Sequence, residues 1–174
     1  MEFWQVIRSR HSVREYAQDQ DVTPELVTGL LSAAIEAPSA GNRQSWHFVV
    51  VRNAGLRAEL AHAAFGQTFI AEAPVVIVVC ADPARSASRY HERGRTLYTF
   101  QDTAAATENL LLAAVDLGLG ACWVGAFDEA QVRRVLALRQ GLVPVAIVPV
   151  GYPRAPSRRE TSRRPLSEVT TYLD

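Results

Sequence analysis

Two segments of the sequence carry side chains that could hold an anionic ligand. The first, Arg8-Ser9-Arg10-His11-Ser12-Val13-Arg14, puts Arg10, Ser12 and Arg14 on one face if the chain there is extended, because side chains alternate along an extended backbone. Two forked guanidinium groups and a hydroxyl match the oxygens of a phosphate. A solvated basic turn explains the same residues, and this segment taken alone favours that alternative.

The second segment is Ala37-Pro38-Ser39-Ala40-Gly41-Asn42-Arg43-Gln44-Ser45-Trp46-His47-Phe48-Val49. Small and amide residues between a helix and an apolar strand form a loop whose backbone can approach a flat ligand closely. An ordinary helix-to-strand connection with common turn residues is the alternative.

The basic residues limit the chemistry. All 18 of them are arginine, so Schiff-base, pyridoxal-phosphate and P-loop mechanisms, which need a lysine, are excluded. The net charge is zero, which predicts neither a nucleic-acid nor a membrane partner. Residues 154–164 nevertheless hold five arginines against one glutamate, a local excess that needs an explanation.

The remaining composition indicates a cytoplasmic protein. Cys80 and Cys122 lie in apolar runs and are expected to be buried thiols without a disulfide. The first ten residues lack the pattern of a signal peptide, and the longest apolar run, Ala73 to Ala81, is too short to cross a bilayer.

Helix and strand signals are spread over the chain and predict a single domain over residues 1–174. Helices are predicted before Arg10 and over 55–64. Others are predicted to begin at Thr23-Pro24, at a capping Asp102 with its end at Gly118, and at Asp128 with Gln131 in the capping-box position. The predicted strands are His47–Arg52, Val75–Cys80, Ala121–Val124 and Val143–Val150. Valine-rich apolar runs indicate strands covered on both faces, and residues 82–101 are expected to form a long polar loop.

Five segments in this order resemble the FMN-dependent nitroreductase family. They are RSRHSVREY, APSAGNRQSWHFVVV, Ala73-Pro74 before an apolar strand, Asp102 with NLLLAAVDLGLGACWVGAF, and Val148-Pro149-Val150-Gly151-Tyr152-Pro153. The resemblance implies an α+β fold with a central mixed β-sheet flanked by helices. It also implies an intertwined homodimer that holds FMN at its interface, with a C-terminal tail of about residues 152–174 extending along the dimer.

The resemblance assigns candidate flavin-binding residues along the chain. Arg10, His11 and Ser12 match positions at the flavin phosphate and ribityl chain, and Arg14 matches one at the pyrimidine edge. Pro38, Ser39, Ala40 and Asn42 match a loop that reaches the flavin from the partner subunit, and Gln67 matches an amide near the isoalloxazine edge. Val124, Gly125 and Ala126 match a turn near flavin N5. Arg163 matches a C-terminal phosphate ligand, with Arg164 as the competing choice.

One departure from the family pattern concerns the cations. Many members have a lysine near the flavin and another in the C-terminal basic motif, where this sequence has Phe69 and Thr161. A cation near the pyrimidine end stabilises reduced flavin, so Arg14 and backbone dipoles carry more of that role in this chain.

The implied activity is oxidation of NADH or NADPH with transfer of electrons to a nitroaromatic, quinone or similar small acceptor by a ping-pong mechanism. The flavin supplies the chemistry, which fits a sequence without an acid–base dyad or a metal-ligand pattern. Residues 82–101 are expected to shape the acceptor pocket through Tyr90 or Tyr98, with Phe65 or Phe69. A non-catalytic flavin-binding or nucleotide-sensing module with an arginine-rich docking tail is the alternative, and turnover of NADH distinguishes the two.

Overall fold

The computed structural model describes residues 1–155 and 161–173. Its helices are α1 (Phe3–Ser9), α2 (Pro24–Ile35), α3 (Ala54–Ala63), α4 (Phe69–Glu72), α5 (Pro83–Arg93), α6 (Thr99–Asp116) and α7 (Glu129–Val135). Its strands are β1 (Trp46–Val51), β2 (Val75–Ala81), β3 (Gly120–Ala121) and β4 (Val143–Gly151). Short 3₁₀ turns cover Ala40–Asn42 and Leu166–Glu168, and a π-helical turn, Gly94–Tyr98, joins α5 to α6.

Several helix ends follow from local chemistry as the sequence predicts. The Thr23 hydroxyl accepts the Leu26 amide at the start of α2, and the Asp128 carboxylate accepts the Gln131 amide at 2.9 Å at the start of α7. Gly118 follows the end of α6 with φ +75°, the left-handed conformation that glycine adopts most easily. The helices expected before Arg10 and over 55–64 are α1 and α3.

The sheet has the strand order β1-β2-β4-β3, and each neighbouring pair is antiparallel. The expected mixed sheet is therefore a correction: within the described residues, parallel pairing is confined to one bridge between Ser12 and Ala121. All seven residues of β2 are buried. Val75, Ile77 and Val79 pack in one apolar cluster and Val76, Val78 and Cys80 in another, so helices cover both faces of the sheet as predicted.

The predicted polar loop at 82–101 is wrong. Asp82 and Pro83 begin α5, where the Asp82 side chain accepts the Arg85 amide at 3.2 Å, and α6 already begins at Thr99. Asp102 therefore lies inside α6 and does not cap it, another correction. Inside α5, His91 has φ +50° and ψ −131°, a non-helical conformation that kinks the helix shortly before the π-helical turn.

Two smaller differences concern β3 and the thiols. The strand expected over Ala121–Val124 is only Gly120–Ala121, and Val124 adds one bridge to Ile147. Cys80 and Cys122 are free and buried as expected, and burial raises the pKa of the Cys80 thiol to about 12. In the part of the chain that the structure describes, we find no helix with the length and apolar character needed to span a membrane.

Candidate functional site

The first predicted ligand-binding segment runs extended beside β3. Ser12 forms the parallel bridge to Ala121, and the Val13 amide donates to the Ala121 carbonyl at 3.0 Å. The buried Tyr16 hydroxyl donates to the carbonyls of Val13 at 2.8 Å and Pro149 at 3.2 Å. Burial raises the pKa of the Tyr16 phenol, so it remains a neutral donor that fixes this segment to the sheet.

Side chains along this segment alternate as the sequence predicts. Ser12 and Arg14 are exposed, whereas Val13 is 3% exposed and packs against Gly120. A methyl group at Gly120 would lie 2.7 Å from a Val13 methyl carbon, so glycine is required for this close approach. The extended chain thus presents the hydroxyl and the guanidinium together on its outer face.

Arg10, His11 and Val13 line a small cavity beside β3. The cavity has a volume of about 190 Å³, and Leu111 and Val115 of α6 contribute to its wall. Arg10 is half-buried, with its Nε 3.8 Å from the Glu108 carboxylate. At this distance Glu108 offsets part of the charge and leaves the guanidinium's other donors for an anion.

The turn at Val124–Ala126 lies against the same region. Val124 exchanges backbone hydrogen bonds with Ile147 at 2.9 and 3.0 Å, which anchors the turn to β4. Gly125 and Ala126 are exposed, and among the described residues their amides donate to no carbonyl or side chain. Such amides are donors that a ligand atom can accept.

Gln67 connects this turn to the loop before α4. Its Nε2 donates to the carbonyls of Ala64 at 2.9 Å and Ala126 at 3.2 Å. The amide nitrogen is therefore occupied in holding two loops together, and the carbonyl oxygen Oε1 is the atom with which Gln67 can meet a ligand donor. The structure thus assigns this predicted ligand a bridging role that the sequence did not indicate.

Arg14 lies over an aromatic ring and above a buried thiol. Its Cζ is 5.8 Å from the centroid of the Phe69 ring. Cys122 is 1% exposed, and its thiol is within hydrogen-bonding reach of the Ser12 side chain. Burial raises the pKa of Cys122 despite the nearby charge of Arg14, so this thiol is a neutral packing group beneath the site.

The second predicted segment is held by the buried carboxylate of Asp102, a role that the sequence does not predict for this residue. Asp102 is 4% exposed, and it accepts the Ala40 amide at 2.9 Å and the Ser45 hydroxyl at 2.7 Å. The Ser39 hydroxyl accepts the Gln44 amide at 2.9 Å inside the same loop. The sequence signal for this role is weak: Asp102 is an acid followed by the small residues Thr103, Ala104 and Ala105.

Backbone conformation shows why the loop needs this support. Gly41, Asn42 and Gln44 have φ values of +54°, +54° and +51°, and the last two are non-glycine residues in the left-handed region. Surrounding contacts must compensate for that conformational cost. Asp102 supplies two of these contacts from α6.

The structure brings the predicted residues together in two places rather than one. Arg10, Ser12, Arg14, Gln67 and the Val124–Ala126 turn form one region. The loop carrying the exposed Pro38, with Ser39, Ala40 and Asn42, instead packs against α5 and α6. The two groups therefore lie on different parts of this chain.

The C-terminal arginines lie on an exposed tail. Arg163 donates to the Thr161 hydroxyl at 2.8 Å, and Arg164 donates to the Glu168 carboxylate at 3.1 Å. Two further members of the cluster, Arg158 and Arg159, lie outside the described residues. Large apolar side chains of the tail are also exposed, among them Tyr172 and Leu173 at 82% and 93%.

Comparison with known proteins gives a consistent result across the chain. The sequence model of the Nitroreductase family matches residues 7–72 and 61–152. A protein of Archaeoglobus fulgidus named for NADH dehydrogenase and NAD(P)H nitroreductase activity is 39% identical over 154 residues, covering 86% of this chain and 84% of that protein. An NADH dehydrogenase of Thermus thermophilus is 32% identical, covering 94% of this chain and 92% of that protein.

A solved structure agrees with the sequence matches. The crystal structure of a nitroreductase family protein from Streptococcus pneumoniae superimposes with a TM-score of 0.89 at 27% identity, covering 99% of this chain and all of that one. The similarity therefore extends over the helices and strands on which both groups of candidate residues lie.

Proposed function

This chain belongs to the nitroreductase family, has its α+β fold and is a nitroreductase-type oxidoreductase, and from this premise we propose that it is FMN-dependent. It takes a hydride from NADH or NADPH and passes electrons to a nitroaromatic, quinone or similar acceptor by a ping-pong mechanism. The observation that carries the proposal is the grouping of an exposed arginine-and-hydroxyl face with two backbone amides that have no partner among the described residues.

The residues present fit the chemistry of FMN. The flavin when bound supplies hydride acceptance at N5 and electron release to the acceptor. A dianionic phosphate needs cationic and neutral donors, which Arg10, His11 and Ser12 offer beside the cavity, and Arg163 or Arg164 adds a cation from the tail. A phosphate held by arginines from both ends of the chain would explain why the two arginine clusters lie so far apart in the sequence.

The other residues of the region orient the ring system. The exposed amides of Gly125 and Ala126 can donate to a ring nitrogen, and Gln67 keeps their turn in place through the Ala126 carbonyl. Arg14 puts a positive charge beside the pyrimidine edge, where it stabilises negative charge on the reduced ring. Phe69 packs against that guanidinium and limits its motion.

A homodimer completes this site. The loop of Pro38, Ser39, Ala40 and Asn42 approaches the flavin bound to the other copy, while the tail, about residues 152–174, extends along the partner. Exposed apolar side chains support this arrangement: Phe3 and Trp4 on α1 are 65% and 64% exposed, and Tyr172 and Leu173 of the tail are 82% and 93% exposed. The Asp102 contacts then hold the loop in a shape suited to the partner's flavin.

The acceptor pocket is shaped by α5 and the π-helical turn. The rings of Tyr90 and Tyr98 meet edge to face with centroids 5.1 Å apart. The Tyr90 hydroxyl lies against Gly41, so this aromatic pair adjoins the loop that approaches the flavin. Exchange of Tyr90 for alanine should change the preference among acceptors, and unchanged kinetics across several acceptors would contradict this role.

The test begins with the purified protein. We expect a yellow preparation with one FMN per subunit that oxidises NADH or NADPH with a nitroaromatic or quinone acceptor and gives parallel double-reciprocal plots. A colourless preparation that takes up no added FMN would overturn the proposal, and intersecting plots would exclude the ping-pong order. Turnover no faster than that of free FMN would identify a flavin-binding module instead.

A pair of variants connects activity to the structure. Arg10→Gln removes a guanidinium from the phosphate group of residues, and Arg134→Gln removes one from the exposed surface of α7. Only the first should lower FMN retention, by about tenfold for a charge-assisted hydrogen bond. Equal retention in both variants would show that Arg10 does not hold the phosphate.

A further inference from the structure

Two arginine side chains are packed crosswise where the candidate loop meets α5. The Nε of Arg43 donates to the Arg85 carbonyl at 3.2 Å, and the Nε of Arg85 donates to the Arg43 carbonyl. Arg43 also donates from Nη2 to the Ser88 hydroxyl at 2.6 Å. Carbonyl and hydroxyl oxygens orient the guanidinium groups but neutralise neither charge.

A third guanidinium extends the same surface by one helical turn. Arg89 follows Arg85 by four residues on α5, a spacing that puts both side chains on the same side of a helix. Its Cζ lies 5.5 Å from the centroid of the Tyr90 ring. We call the surface formed by Arg43, Arg85 and Arg89 the arginine face; Arg85 and Arg89 are exposed to solvent and Arg43 is half-buried.

The acids closest in sequence are engaged with other cations. Asp82 pairs with Arg139 at 2.7 Å, and Glu92 pairs with Arg95 at 3.8 Å. Among residues 1–155 and 161–173, no carboxylate forms an ion pair with the arginine face. Three like charges held side by side without an acid repel one another, and an anion bound between them would relieve that repulsion.

The arginine face adjoins the loop that approaches the flavin. Arg43 directly follows the Ala40–Asn42 turn, and a side chain at Gly41 would collide with the Tyr90 hydroxyl next to Arg89. A nicotinamide dinucleotide whose nicotinamide ring stacks on the flavin extends away from it. The pyrophosphate of NADH and NADPH, and the additional 2′-phosphate of NADPH, then lie at some distance from the reacting ring.

We infer that the arginine face binds a phosphate group of the nicotinamide dinucleotide donor. The inference rests on the proposed function, because it takes the donor and the loop's approach to the flavin from there. Guanidinium groups bind phosphate oxygens in pairs of parallel hydrogen bonds, and Arg85 and Arg89 keep their terminal nitrogens free of acids for this purpose. The arginine face thereby determines how strongly the donor is held, and the flavin site determines what happens to its hydride.

The kinetic test uses the double variant Arg85→Gln/Arg89→Gln with Arg134→Gln as a control for loss of charge. In the flavin-loaded protein we expect the double variant to have a KM for NADPH, or for both NADH and NADPH, that is higher by about tenfold or more. Its kcat and FMN content should be unchanged. A rise for NADPH alone assigns the 2′-phosphate, and an equal rise for NADH and NADPH assigns the pyrophosphate. No rise, or the same rise in Arg134→Gln, overturns the inference.

A binding measurement separates this inference from the proposed function. ADP-ribose carries the pyrophosphate without a reacting ring, and 2′-phospho-ADP-ribose adds the 2′-phosphate. Calorimetric titration should show about tenfold weaker binding of one or both to the double variant than to the unaltered protein and to Arg134→Gln. Equal binding by all three proteins overturns the inference even if the enzyme is active, whereas weakened binding supports it even in a protein that oxidises no dinucleotide.

Discussion

The role of Asp102 leads to the most quantitative prediction. Its carboxylate is 4% exposed and accepts two hydrogen bonds, from the Ala40 amide and from the Ser45 hydroxyl, which is itself fully buried. Asp102→Ala removes both acceptors and leaves a buried hydroxyl without a partner. Asp102→Asn keeps the shape of the side chain and one acceptor oxygen.

The size of the effect follows from these contacts. A hydrogen bond to a charged group contributes about 1.5–3 kcal/mol, so the loss of both should lower the free energy of unfolding by about 3–5 kcal/mol after the loop relaxes. For a chain of this length that corresponds to a fall in Tm of about 10 °C. Asp102→Asn should lose about half as much, because the Ala40 amide keeps its acceptor.

A double-mutant cycle isolates the contact. Urea unfolding of Asp102→Ala, Ser45→Ala and the double variant, at one protein concentration and one FMN concentration, should give a coupling free energy of about 1.5–3 kcal/mol. Hydrogen exchange at the Ala40 amide should accelerate in Asp102→Ala and in the double variant, and not in Asp102→Asn, which keeps the acceptor of that amide. A coupling below about 0.5 kcal/mol, or unchanged exchange at Ala40, would refute the assignment of Asp102 as the support of this loop.

Three further predictions concern other parts of the structure. Arg163→Gln should weaken FMN retention about tenfold with little change in the Tm of the flavin-free protein, as measured by flavin absorbance after gel filtration and by calorimetry; equal losses of both would contradict a ligand role. Gly120→Ala should cost about 1–3 kcal/mol in urea unfolding because the new methyl group overlaps Val13, and Val13→Ala in the same chain should recover part of it. Cys80 should resist alkylation in the folded protein and react in urea, as measured by mass spectrometry. Because burial raises its folded pKa to about 12, the stability from keeping this thiol neutral is present below its unfolded pKa and is lost as pH rises towards 12. Rapid alkylation without denaturant would show that the thiol is not buried.

Local signals predicted much of the fold because they act over short distances. Thr23 and Asp128 begin helices, and Gly118 ends one, through contacts within a few residues. The valine runs of β2 and β4 reflect burial on both faces. The prediction of a loop over 82–101 is wrong because the many charged and polar residues of this segment conceal its helix signals. Asp82-Pro83 is a helix start, and Arg85 and Arg89 have the spacing of a helix face.

The site was less accessible to sequence reasoning, since its interactions join distant residues. The alternation of Ser12, Val13 and Arg14 follows from extended backbone, but their place beside Ala121 depends on tertiary structure. Asp102 is of a residue type that favours helix N-caps, but it accepts a hydrogen bond from the Ala40 amide, in a loop far from it in sequence. A capping pattern gives no indication of such a partner.

The bridge between Ser12 and Ala121 also determines when the site can form. The segment around Ser12 is synthesised well before its partner strand β3, which follows α6. Arg10 and Arg14 therefore cannot reach their final positions until β3 has been synthesised. Contacts between residues so distant in sequence also form slowly. If flavin binds through this segment as proposed, its uptake would mark a chain whose sheet is already assembled.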